Sequence, residues 1–135
     1  MPPFEVDILA TPEAISSLTD QIFVFLEEQQ VDARAAHHVA LVVEELVTNL
    51  GTHGRCRDKP TTVRIVVEPD QVKGEIVDTG PAFDPRTAPD PDIDASISDR
   101  RIGGLGLYLV RQLTRSLEYS RRNSENLTHF TIARS

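Results

Sequence analysis

Hydrophobic and polar residues follow clear periodicities in the first half of the chain, and these periodicities predict a strand and two helices. Residues 4–9 alternate between apolar and polar side chains, which predicts a short strand. Thr11 and Pro12 then predict a helix start, with Thr11 as the N-cap and Pro12 in the first turn. Apolar residues at helical spacing extend this helix to about residue 30, and Asp32 caps a second helix that reaches about Leu50.

The second half of the chain combines alternating segments with two polar stretches. Residues 62–68 and 72–78 alternate and are separated by a turn, so they predict a hairpin, which follows a loop at residues 51–60. Residues 79–100 are rich in Pro and Asp and predict a mobile loop. Residues 101–117 then form a glycine-rich entry into a helix, and residues 117–121 and 127–133 predict a last hairpin around residues 123–126.

The order of these elements is strand, helix, helix, strand, strand, loop, helix, strand, strand. Consecutive hairpins favour an antiparallel or a mixed, mostly antiparallel sheet, with the helices packed on one face. The sequence therefore predicts an α+β fold, a two-layer sandwich formed by one domain over residues 1–135, and not a doubly wound Rossmann sheet.

Composition and charge narrow the range of partners. The chain has 135 residues, 39% of them hydrophobic, which suits one compact core. Its formal net charge of -7 argues against a nucleic-acid backbone as partner, although backbone N–H groups and a metal ion can still hold a nucleotide's phosphates. The single cysteine, Cys56, excludes an internal disulfide and a cysteine-based zinc site. No apolar segment is long enough to span a membrane and no signal pattern begins the chain, so we expect a cytoplasmic protein.

The second predicted helix carries an unusual number of polar groups in the segment VVEELVTNLGTHG. On a helical wheel Glu45, Asn49 and His53 lie four residues apart along one margin of the apolar face. The amide oxygen of Asn49 is a hard ligand suited to Mg²⁺, and Glu45 one turn earlier can take a proton from a nucleophile. In isolation, such spacing is a weak signal and is much more often that of a solvated helix edge.

Two further motifs lie at the ends of predicted secondary-structure elements, the first after a strand and the second at the start of a helix. In IVDTGPAFDP, Asp78 shares a strand face with the core residue Ile76, so its carboxylate is expected to be buried and able to accept a hydrogen bond from an exocyclic amine. A simple Asx turn at the strand end is the alternative. In RIGGLGLYLV, three glycines begin a helix, where free N–H groups and the helix dipole favour an anion; a flexible hinge is the alternative.

Together and in this order, the three motifs resemble those of the Bergerat ATP-binding fold of histidine-kinase-like (GHKL) ATPases. The matches are Glu45 and Asn49 for E-x-x-x-N, Asp78, Gly80 and Phe83 for D-x-G-x-x-F, and Gly104 and Gly106, after Gly103, for the glycine box. The resemblance covers essentially the whole chain, with a short lid at about residues 84–102. Within that superfamily the chain is most similar to bacterial anti-sigma-factor serine/threonine kinases.

The resemblance implies ATP and Mg²⁺ as cofactors and assigns roles to the matching residues. Glu45 is expected to be the general base and Asn49 the Mg²⁺ ligand. The adenine pocket is expected to be formed by Asp78, which holds the adenine amine, and by Gly80, Phe83 and Thr128. The phosphates are expected to be wrapped by Gly103, Gly104, Leu105, Gly106 and Leu107.

The implied reaction is transfer of the γ-phosphoryl group of ATP to a serine or threonine of an anti-anti-sigma (STAS-type) protein. A sigma factor is a possible second partner, a homodimer is the common assembly, and neither nucleic acid nor a membrane is expected to be bound. A non-catalytic nucleotide-binding module that sequesters a partner is the alternative. Gly51 departs from the family pattern, and we expect it to end the second helix early.

Overall fold

Five strands form one sheet and three helices pack on one of its faces within the residues that the structure describes. The computed structural model describes residues 2–52, 58–87 and 104–135, with the backbone alone at Thr52, Gly104 and Leu105. The strands are β1 (Phe4–Ile8), β2 (Thr61–Val67), β3 (Gln71–Asp78), β4 (Ser116–Arg122) and β5 (Glu125–Ala133). The helices are α1 (Pro12–Glu28), α2 (Ala33–Thr52) and α3 (Gly104–Leu113), and a 3₁₀ turn covers Pro85–Thr87.

The sheet has the strand order β1-β2-β3-β5-β4, and each of these neighbouring pairs is antiparallel. The predicted α+β sandwich is therefore confirmed. The sequence left an antiparallel and a mixed sheet open, and the described strands form an antiparallel sheet. Because β5 lies between β3 and β4, the C-terminal ends of β3 and β4 both meet the start of β5. Residues of this junction belong to the candidate site described below.

The two long helices begin at the predicted capping residues. The Thr11 hydroxyl accepts a hydrogen bond from the backbone N–H of Ala14 at 3.3 Å, and a carboxylate oxygen of Asp32 accepts one from the N–H of Ala35 at 3.1 Å. Each cap satisfies an N–H group that has no acceptor within its own helix. The caps fix where α1 and α2 begin.

The hydrophobic core lies between the helices and one face of the sheet. Side chains that alternate along the central strands point into it, among them Ile65 of β2, Ile76 of β3 and Phe130 of β5. Helix α2 contacts both β3 and β5 and contributes fully buried valines such as Val43 and Val47. No helix in the described part of the chain is long and apolar enough to cross a membrane.

Gly51 does not end α2, so the predicted loop at residues 51–60 begins too early. The helix continues through Gly51 and Thr52. A Cβ atom on Gly51 would overlap the carbonyl oxygen of Ala10, which precedes α1. The glycine is therefore explained by the close approach of two backbones and not by helix termination.

The last helix and the last hairpin also differ from the predicted boundaries. Helix α3 ends at Leu113, and Leu117 belongs to β4. The turn of the hairpin is only Asn123-Ser124, whose φ angles of 56° and 65° are those of a two-residue type I′ turn. Glu125 and Asn126 are consequently part of β5, whereas the sequence pattern assigned them to the turn.

Candidate functional site

Helix α2 supplies the first two site residues from the margin of its buried face. Asn49 is buried, with 9% of its surface exposed, whereas Glu45 is half-buried one turn earlier. The helix takes this position because Val43, Val47 and Leu50 pack in the core. The predicted placement of a carboxylate and an amide at the edge of the core is what the structure shows.

Strand β3 ends in a buried carboxylate. Asp78 has only 3% of its surface exposed, as its strand parity predicts. Its Oδ1 atom accepts a hydrogen bond from the backbone N–H of Gly80 at 2.9 Å. This is the Asx turn considered as the alternative, and it is compatible with a binding role because a carboxylate accepts several hydrogen bonds.

Residues from α2, from β3 and the segment after it, and from β5 meet in one narrow cleft between α2 and the sheet. Asn49, Asp78, Phe83 and Thr128 line it together. Its remaining walls are apolar and are formed by Leu46, Leu50, Ile76 and Pro85. The cleft has about 20 Å³ of free volume, enough for about one water molecule. Because the Phe83 side chain is 39% exposed, it is the wall least fixed by the core.

The glycine box meets the first motif directly. A Cβ atom on Gly106 would overlap the carboxylate of Glu45, so this glycine gives the carboxylate its space beside the first turn of α3. Gly104, Leu105 and Gly106 belong to the first turn of that helix, whose N–H groups lack acceptors within the helix. The Leu107 side chain is buried in the core, so only its backbone can contact a ligand.

The electrostatic environment raises the pKa of Glu45. Burial is the main cause, and the negative charge of neighbouring Glu44 adds to it. Both effects disfavour the ionised carboxylate. A carboxylate of raised pKa is a stronger base than an ordinary one, which suits it to accept a proton.

The segment that follows Phe83 is held by one local ion pair and by one hydrogen bond to α3. The Asp84 carboxylate forms an ion pair with Arg86 at 2.8 Å, and hydrogen bonds from Arg86 lower the pKa of Asp84. The carbonyl oxygen of Pro85 accepts a hydrogen bond from Arg111 of α3 at 3.5 Å. The start of the predicted lid is therefore attached to α3.

Several predicted features lie outside the described residues. They are His53, Cys56, Gly103 and the part of the lid at residues 88–102.

Asn126 is a site residue that the sequence pattern missed. It is 2% exposed and lies between Asp78 of β3 and Arg121 of β4, with both of which it is in register. Its Nδ2 atom donates to Asp78 Oδ1 at 3.0 Å. The signal that was missed is strand parity. Asn126 lies two residues before Thr128, so a predicted β5 that included Asn126 would have placed both side chains on the inward face.

A comparison of the sequence with protein-family models matches residues 8–132 to the histidine kinase-like ATPase domain. Among characterised proteins, the serine/threonine-protein kinase BtrW of Bordetella bronchiseptica is 28% identical in an alignment of 134 positions. The alignment covers 95% of this chain and 92% of BtrW.

Two solved structures show the same fold. The RsbU and RsbW domains of a Mycobacterium tuberculosis protein align with a TM-score of 0.70 at 17% identity over 99% of this chain, which corresponds to 33% of the mycobacterial chain. The SiaB–SiaC complex of Pseudomonas aeruginosa aligns with a TM-score of 0.63 at 12% identity, covering 96% of this chain and 89% of the matched one. The fold, the cleft and the family match agree, and the chain belongs to the family of histidine kinase-like ATPase domains.

Proposed function

We propose that the protein is an ATP-dependent serine/threonine protein kinase that phosphorylates a STAS-type anti-anti-sigma partner. The observation that carries the proposal is the cleft that gathers Asn49, Asp78, Phe83 and Thr128 beside the contact between Glu45 and Gly106. In this arrangement a proposed adenine pocket would adjoin the proposed polyphosphate site and the proposed base. The 28% identity to a serine/threonine kinase over nearly the whole chain supports the same activity.

The adenine base is proposed to enter the cleft between α2 and the sheet. Asp78 would accept a hydrogen bond from the exocyclic amine, and Thr128 would bind on the same side through its hydroxyl. Gly80 and Phe83 would form the rest of the pocket. Because the free volume of the cleft is far below that of a purine, Phe83 is expected to move outward when the nucleotide binds.

The phosphates are proposed to lie at the first turn of α3, at Gly104, Leu105, Gly106 and Leu107, and at Gly103, which precedes the helix in the sequence. Backbone N–H groups and the helix dipole favour negative charge there. Asn49 fits a magnesium ion, because its amide oxygen is a hard ligand on the wall of the cleft. Bound magnesium would neutralise charge on the phosphates.

In the proposed reaction the partner's serine or threonine hydroxyl oxygen attacks the γ-phosphorus of ATP. The bond between the γ-phosphorus and the bridging oxygen breaks and ADP leaves with its electron pair, while Glu45 accepts the hydroxyl proton. Positioning of the two reactants and stabilisation of charge supply most of the rate enhancement in such reactions. The raised pKa of Glu45 makes its carboxylate a stronger base for this proton transfer.

The proposed biological setting is partner switching, in which the kinase binds either its STAS-type substrate or a sigma factor. The structural similarity to the SiaB chain, solved with SiaC, and to an RsbW domain supports a protein partner. Homodimerisation and a lid over residues 84–102 of a single 1–135 domain are part of the same proposal.

Calorimetric titration with ATP, with and without Mg²⁺, tests the nucleotide site. Wild-type protein is expected to bind in a magnesium-dependent manner. Asp78→Asn is expected to lose at least tenfold in affinity, because the Gly80 N–H and Asn126 Nδ2 donors would hold the amide oxygen and leave the NH₂, which cannot accept a hydrogen bond, facing the adenine amine. Asp70→Asn, the same change in the exposed turn between β2 and β3, is the matched control. Absence of binding by the wild type would contradict the proposed function.

Phosphoryl transfer to a purified STAS-domain protein separates a kinase from a binding module. Glu45→Gln is expected to lose about 10²–10⁴-fold in turnover while retaining ATP affinity, because it removes only the base. Glu44→Gln makes the same change on the exposed neighbour and is expected to retain activity. ATP binding without phosphorylation of any STAS-domain candidate would favour the non-catalytic alternative.

A further inference from the structure

A row of polar side chains, of which Asp78 and Asn126 are buried and Arg121 is exposed, crosses three strands at the edge of the candidate nucleotide cleft. Asp78 of β3, Asn126 of β5 and Arg121 of β4 are direct cross-strand neighbours. Directly opposed residues of an antiparallel sheet point to the same face, so the three side chains can contact one another. Asn126 is the central member of the row.

The hydrogen bonds of Asn126 fix the orientation of its side-chain amide. Nδ2 faces only acceptors, namely Asp78 Oδ1 at 3.0 Å and the carbonyl oxygens of Gly80 at 3.3 Å and Pro81 at 2.9 Å. Oδ1 accepts hydrogen bonds from the Arg121 guanidinium at 2.9 Å and from the Tyr119 hydroxyl. Because a guanidinium only donates and a carbonyl only accepts, the flipped amide would lose these bonds.

The network joins the proposed adenine ligand to the chain segment that follows it. Nδ2 of Asn126 binds the carboxylate of Asp78 and the two carbonyls that lead towards Phe83. Arg121 also donates to the carbonyl oxygen of Gly80 at 3.0 Å, so this oxygen is held from two strands. The Asn126 amide thus bonds both the Asp78 carboxylate and the backbone beside it, together with the Gly80 N–H and Arg121.

We propose that Asn126 is a positioning residue that orients the Asp78 carboxylate towards the exocyclic amine of adenine and so determines the preference of the cleft for adenine nucleotides. The proposal rests on the proposed function, because it assumes that Asp78 binds the base. Asn126 itself acts through Asp78 and does not contact the nucleotide.

The test compares the affinities for ATP and for inosine triphosphate, which carries an oxo group where adenine has its amine. Both are titrated in the presence of Mg²⁺ with wild type, Asn126→Asp and Asn126→Ala. The aspartate substitution keeps the shape but sets an acceptor oxygen against Asp78 and the two carbonyls. We expect the ratio of ATP to inosine triphosphate affinity to fall about tenfold, mainly through weaker ATP binding.

Asn123→Asp is the matched control, because it makes the same chemical change three residues earlier at an exposed turn position. Its φ of 56° is one that aspartate tolerates. The control is expected to retain the wild-type ratio. If Asn126→Asp does not fold, Asn126→Ala decides the question, since it removes the amide without adding a charge.

The outcomes separate this proposal from the proposed function. A wild type that binds neither nucleotide overturns both. A wild type that prefers ATP, with folded variants that keep this preference, overturns the role of Asn126 and leaves the function standing. Equal losses for both nucleotides indicate a purely structural role and also overturn the proposal. A selective loss for ATP supports it.

Discussion

The contact between Gly106 and Glu45 makes Gly106→Ala a sharp test of how the proposed base, Glu45, is positioned. The added methyl group would overlap the Glu45 carboxylate and come within 3.1 Å of its Cδ atom. The obstructing atoms are the end of a flexible side chain, whereas the backbone of α3 is held by the buried residues Leu107 and Val110. We therefore expect Glu45 to move while the helix stays in place.

The expected effect on stability is small because two contributions oppose each other. Alanine is favoured over glycine inside a helix by about 1 kcal/mol. Displacing the Glu45 side chain from its preferred rotamer costs about 0.5–1.5 kcal/mol. The free energy of unfolding should therefore change by less than about 1 kcal/mol.

The expected effect on catalysis is much larger. To relieve the overlap, the carboxylate must shift by on the order of 1 Å, and misplacement of a reacting group by that distance can cost about 10²-fold in rate. Binding of ADP should change much less, because the adenine side of the cleft is formed by other residues. Turnover should fall about 10²-fold at nearly unchanged stability.

The assay combines phosphoryl transfer to a STAS-domain protein, ADP titration and urea denaturation. Gln112→Ala, on an exposed position of the same helix, is the control and should keep wild-type turnover. A folded Gly106→Ala protein that transfers phosphate at the wild-type rate would refute the reasoning, because Glu45 could then act from more than one position.

Two further predictions concern stability and pH. Gly74→Ala should lower the free energy of unfolding by about 1–3 kcal/mol, because the added methyl group would overlap the buried ring of Phe130 on the neighbouring strand. The measurement is urea denaturation, and an unchanged midpoint would contradict this packing. The phosphoryl-transfer rate should decline as pH falls, with a midpoint above the ordinary glutamate value of 4.5, because the base must be ionised and burial raises the pKa of Glu45. Glu44→Gln should move this midpoint to lower pH by removing a like charge, and a fixed midpoint would exclude that coupling.

Features set by local sequence patterns could be predicted closely. The capping roles of Thr11 and Asp32 depend on hydrogen bonds that span three residues, and both are present. The position of Asn49 at the edge of the core follows from helical periodicity, and the burial of Asp78 follows from strand parity. Such features need no knowledge of the rest of the chain.

Features set by contacts between distant segments could not be predicted in the same way. Gly51 indicates a helix end in the sequence, yet the helix continues because α2 packs against the carbonyl oxygen of Ala10. The contact of Gly106 with Glu45 likewise depends on how α3 packs on α2. In both cases the glycine makes room for a neighbour that is remote in sequence.

Asn126 shows how one boundary error can conceal a residue of the candidate site. Asparagine is common in turns, and four polar residues between two apolar segments favoured a turn at residues 123–126. Because Asn123 and Ser124 adopt left-handed conformations, two residues complete the turn and Asn126 enters the strand. The side chain then faces inward and joins Asp78, 48 residues earlier, through the pairing of β3 with β5. Selectivity for the adenine base is accordingly expected to depend on hairpin geometry as well as on the motif that contains Asp78.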